Sequence, residues 1–186
     1  MEYEFVKVEK KNHISIVTIN RPEVYNAVHP PLSLELDQVW NDFIEDRDQW
    51  VAVLTGAGDK AFSAGNDLKY SAQSGKYKVQ QPKSGFAGLT NRFDRTKPII
   101  AAVNGFAMGG GMETALSCDI ILASENAKFA LPEVKVGFFA AAGGVQRLSR
   151  QIGKKAALEM ILTGRSVDPA EALKLGIINE VFPQAE

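Results

Sequence analysis

Glu113 and Glu133 each lie beside an apolar stretch of the chain. An acid in the first turn of a helix is favoured by the partial positive charge there, and that alone accounts for either residue. In one pocket the two would do more. Like-charge repulsion and loss of solvent push one member of such a pair toward its protonated form. The result is one acid and one base, the pairing needed to add or remove water. Two glycine turns, residues 63–67 (SAGND) and 108–113 (MGGGME), can each offer a backbone N–H to a single point in space. Two converging donors of this kind make an oxyanion hole, where one donor is typically worth ~3 kcal/mol of transition-state stabilisation. Either turn by itself is also simply a turn.

Other chemistries fit poorly. A phosphate-binding loop needs Gly-Lys-Ser/Thr, whereas Gly110 is followed by Gly111-Met112, and no GxGxxG opens a helix. Ser63 lacks the preceding glycine of a nucleophile elbow, Ala61 standing there instead. The only histidines are His13, within a β-branched run, and His29, beside Pro30 and Pro31; with no cysteine partners they make no metal site. Cys118, next to Asp119, reads as a core residue.

The elements that must position these groups follow from patterning. Strands are predicted at 13–19, 51–54, 99–103, 119–123, 129–131 and 177–182. Apolar positions at 32, 36, 39, 40, 43 and 44 predict a helix from the Pro30-Pro31 start to about Asp46. Further helices are expected after Gly111, over 145–152 and 156–162, and after Asp168-Pro169. Residues 69–90 are the least regular stretch: a helix start, then a loop of the kind that often serves as a lid. Strands alternating with helices favour an α/β domain with parallel pairing.

Bulk properties narrow the class. The 186 residues are 45% hydrophobic and 23% charged, the profile of an ordinary globular domain. A net charge of −1 leaves no electrostatic footprint for nucleic acid or an anionic membrane. A lone cysteine, an N-terminus without a signal-type apolar core, and no run near the ~18 apolar residues of a membrane helix together lead to the expectation of a cytoplasmic protein.

Taken together, the motifs resemble the crotonase (enoyl-CoA hydratase/isomerase) superfamily. The resemblance rests on INRPEVYNA (19–27), AFSAGNDL (61–68), KPIIAAVNGFAMGGGMETALSCDI (97–120), FALPEVKVG (129–137), GGVQRL (143–148) and LTGRSVDPAEALKLGIINEV (162–181). Residues 85–90 with FALPE look especially like carnitinyl-CoA dehydratases. The resemblance implies an α/β spiral of ββα units, with residues 1–186 as the catalytic core and the family's C-terminal trimerisation helices not present in this chain. It implies that the N–H groups of Asn66 and Gly110 hold a thioester oxygen and that Glu113 and Glu133 are the catalytic pair. It also implies a coenzyme A site lined by Ala27, Phe62, Ala64, Gly65, Asp67, Leu68 and Gly109, with Lys69, Lys76, Lys78 and Lys83 near its phosphates. The implied activity is hydration or dehydration of an acyl-CoA, with a double-bond isomerase or a non-catalytic, nucleic-acid-binding relative as alternatives. No metal or tightly bound cofactor is implied, coenzyme A being part of the substrate. No nucleic-acid or membrane partner is implied either. With the C-terminal segment, the assembly would be a homotrimer or hexamer. Ala140 stands where family members commonly have proline, and Ala141-Ala142 where they have small polar or glycine residues.

Overall fold

The computed structural model describes residues 3–73 and 81–184. Ten strands form two sheets. The larger contains β1 (Val6–Lys11), β2 (Ile14–Ile19), β3 (Val51–Gly56), β5 (Ile99–Val103), β7 (Ile120–Ser124) and β10 (Glu180–Phe182), in that order across the sheet. The smaller contains β4 (Ala61–Ser63), β6 (Phe106–Met108), β8 (Lys128–Ala130) and β9 (Ser166–Val167). All pairings are parallel except β1 with β2 and β8 with β9.

The chain repeats one excursion. Strand β3 of the large sheet hands over to β4 of the small sheet and then to helix α2 (Leu68–Gln73). Strand β5 hands over to β6 and then to helix α3 (Gly110–Ala115), and β7 to β8 and a 3-10 turn at Pro132–Val136. The expected α/β class with parallel pairing is what the chain forms. Strands β1, β4, β6 and β9 lie outside the predicted runs, and all but β1 are three residues or shorter. Three-residue strand β6 stands between β5 and the glycine turn; an element so short carries no periodicity. Strand β1 was hidden in the charged N-terminus because only Val6 is buried in it, the remainder lying along the sheet edge.

Helix α1 (Pro30–Glu45) buries Leu32, Leu36, Val39, Trp40 and Phe43, the stripe expected from the spacing. These pack with Val17, Ile19, Leu54, Phe62, Ile99, Val103, Met112 and Phe129 into one core spanning both sheets. Helices α4 (Gly144–Gln151), α5 (Lys154–Thr163) and α6 (Pro169–Leu175) complete the described chain. Among the described residues, no helix is long and apolar enough to cross a membrane.

Candidate active site

Side-chain amides lock the ends of the central strands. Asn104 Nδ2 donates to the carbonyls of Gly56 (2.8 Å) and Gly58 (2.7 Å), tying the end of β5 to the exit of β3. Asn26, buried in a left-handed conformation, donates through Nδ2 to Ala57 O and Ala61 O, while its Oδ1 accepts from Arg21 N–H. Ser63 Oγ donates to Asn26 O (2.8 Å) and accepts from Gly65 N–H (3.1 Å). Ser63 thus closes a turn.

The two glycine turns are brought together. A β-carbon on Gly65 would stand 2.5 Å from Met108 O and 2.9 Å from Gly110 N, so the turns touch backbone to backbone. Residue 66 bridges to Val28 through its neighbours: Val28 N–H donates to Gly65 O and Asp67 N–H to Val28 O. The N–H of Asn66 is left without an acceptor among the described residues. Gly110 opens α3, where a helix has no internal acceptor for its first N–H groups. Gly109, at φ 53° and ψ −122°, makes the reversal that opens α3, a conformation that favours glycine.

The two glutamates arrive from different elements. Glu113 lies in the first turn of α3 and is 3% exposed. Its Oε1 accepts the Gly144 N–H at 2.8 Å, and a β-carbon on Gly144 would stand 2.9 Å from Glu113 Cγ. Burial pushes the Glu113 carboxyl up to about 7; the Gly144 N–H opposes this and the Glu133 charge adds to it. Glu133 comes from the 3-10 turn after β8, with Oε1 3.0 Å from where a β-carbon on Gly109 would lie. Its Oε2 is buried with no hydrogen-bond partner, and burial raises its proton affinity too. Two carboxyls of raised proton affinity therefore flank one glycine turn.

The remaining expected residues fall into two groups. Ala64, Asn66 and Leu68 are exposed beside the turn, and Ala27, Gly65, Asp67 and Gly109 are buried there. Asp67 is bonded to Arg21 (3.0 Å), whose Nη1 also reaches Ala27 O, so this acid holds two loops together. Phe62 is 0% exposed in the core, so only its backbone borders the turn. Lys69 and Lys83 are exposed, whereas Lys76 and Lys78 lie outside the described residues. Cys118 packs against the core, burial pushing its thiol up to about 12. His13 stacks on Trp50, and His29 sits edge-on between Phe5 and Tyr70. Among the described residues, no three His, Cys, Asp or Glu side chains are grouped to hold a metal. Patterning passed over two features that shape the site, the Gly144 N–H and the ring of Phe86. The fold brings both in from distant segments.

This two-sheet spiral is the crotonase fold. Solved structures that share it include a carnitinyl-CoA dehydratase from Mycobacterium avium (TM-score 0.91, 43% identity, covering 97% of this chain and 70% of that one). An enoyl-CoA hydratase from Mycobacterium tuberculosis also shares it (TM-score 0.89, 40% identity, 97% and 69% covered). The chain belongs to the enoyl-CoA hydratase/isomerase family, whose sequence model matches residues 9–186. It is 44% identical over 183 residues to carnitinyl-CoA dehydratase of Escherichia coli, covering 98% of this chain and 70% of that relative. On these relationships it is an enzyme of the hydratase/dehydratase kind, a hydro-lyase, in a family that acts on coenzyme A thioesters.

Proposed function

We propose that this protein reversibly adds water across the α,β double bond of an acyl-coenzyme A thioester, with Glu113 and Glu133 as base and acid. The observation that carries the reading is the meeting of buried Glu113 and of Glu133, whose Oε2 is buried without a partner, at a turn whose Gly110 N–H abuts residue 65. In hydration, ionised Glu113 takes a proton from water and the oxygen bonds to the β-carbon. The π electrons move onto the thioester oxygen, held by Asn66 N–H and Gly110 N–H. Protonated Glu133 then delivers its proton to the α-carbon as the enolate collapses. Dehydration reverses each step. The Gly144 N–H on Glu113 Oε1 fixes which oxygen faces the water.

Ala27, Ala64, Gly65, Asp67, Leu68 and Gly109, with the backbone of Phe62, form the coenzyme A side of the reading, Leu68 being 64% exposed. The carnitinyl-CoA dehydratase relatives favour an acyl group of that kind. The reading needs no resident cofactor, since the four groups supply every proton and charge. It extends to a homotrimer or hexamer when a C-terminal helical segment is present. The adjacent rings of Phe138 and Phe139, both 64% exposed, support burial of that face.

The test is loss of the conjugated enoyl-thioester absorbance on mixing the purified protein with crotonyl-CoA and, in parallel, crotonobetainyl-CoA. Faster loss with crotonobetainyl-CoA supports the carnitinyl reading. No loss with either, in a protein that binds both thioesters, removes hydration.

A further inference from the structure

We infer that Phe86 is a wall of the acyl pocket and selects which acyl groups reach the thioester site. This rests on the reading of Gly110 N–H as a donor to the thioester oxygen. The ring tip points at Gly110: Cε1 and Cζ lie 2.7 Å, and Cε2 3.3 Å, from where a β-carbon on Gly110 would stand. No side chain fits between them, so the ring edge borders the residue whose N–H the reading places on the thioester oxygen. Phe86 is half-buried.

The backbone that carries the ring is held from both sides. Gly85 adopts φ 85° and ψ −163°, a region essentially reserved for glycine. A β-carbon there would stand 2.5 Å from Thr90 Oγ1, the atom that accepts the Phe86 N–H at 2.9 Å. The next residue, Ala87, is buried in a left-handed conformation, its N–H donating to Ser33 Oγ and its carbonyl accepting from Trp40 Nε1 on α1. Thr90 O in turn accepts from Arg147 Nη2 on α4 (2.6 Å). Four anchors from two helices and the turn itself therefore fix the backbone that carries the ring. A ring carried on so fixed a backbone discriminates by size, limiting bulk beside the carbonyl. An added or missing methylene against such a wall changes selectivity by roughly ten-fold or more.

The experiment compares the parent with Phe86→Ala and Phe86→Leu on crotonyl-CoA, 2-methylcrotonyl-CoA and trans-2-octenoyl-CoA. Calorimetric affinities for the saturated esters are measured alongside as a readout independent of turnover. Phe86→Ala is expected to raise kcat/KM for at least one bulkier substrate, relative to crotonyl-CoA, about tenfold, with Phe86→Leu between. The affinity ratios should move the same way. Unchanged ratios in both variants, each shown by circular dichroism to be folded, overturn the wall. A parent that binds the saturated esters but hydrates nothing removes the hydration reading and leaves Phe86 to be judged on affinities. A parent that binds no ester overturns both.

Discussion

Glu113 is a buried carboxyl that the fold pushes toward holding its proton, and this has a measurable cost. Its proton affinity rises from the ordinary 4.5 to about 7, so between those pH values the folded protein holds a proton that the unfolded chain releases. Stability therefore falls as pH climbs through this window and stays low above it. The size is about 3 kcal/mol at 1.36 kcal/mol per pH unit. Glu113→Gln keeps the shape and the bond from Gly144 without the charge. It should unfold at a higher temperature than the parent at pH 8, and at the same temperature below pH 4.5. The same substitution removes the proposed base, and Glu133→Gln removes the proposed acid. Each should lower hydration of an enoyl-CoA by about 10²–10⁴-fold in a folded protein, the usual worth of positioned acid–base groups. Near-parental turnover in either variant would strip that residue of its role.

Elements place these residues, and the tightest placements have no slack. Helix α4 begins at Gly144 against the Glu113 side chain, where a β-carbon would stand 2.9 Å from both Glu113 Cγ and Ala140 Cβ. Gly144→Ala should cost about 1–3 kcal/mol by overpacking and should lower kcat more than it raises KM, because it moves the carboxyl. Denaturant melts and steady-state kinetics on one preparation separate the two effects. Helix α6 offers the contrast. Asp168 caps it by accepting the Glu171 N–H at 2.8 Å, on an exposed part of the chain. Asp168→Ala should cost about 1 kcal/mol of stability and leave kcat/KM within error.

The whole molecule is a stack of similar excursions between a six-stranded and a four-stranded sheet, and the stacking decides which turns meet. The exposed Phe138–Phe139 pair belongs to this scale as well. In a chain that carries a C-terminal helical segment the proposed trimer or hexamer should appear by light scattering. Phe138→Ser with Phe139→Ser should shift it toward smaller species without lowering the fraction folded.

Much of this was legible in the residues themselves. The β-branched runs became β2, β3, β5 and β7, and the stripe of α1 was read from spacing, because burial on one face imposes a period. The glycine turns and both glutamates announced themselves by residue type, and their motifs carried the family. What the sequence determined is therefore the parallel α/β class, the family, and a short roster of groups able to handle protons and a negative oxygen. Tertiary structure alone decided that residue 65 abuts Gly110, that Glu133 lies over Gly109, that Gly144 holds Glu113, and that Phe86 caps the turn. These contacts join segments far apart in the chain, and no local preference encodes them: they exist only once the two sheets have stacked and the core has closed.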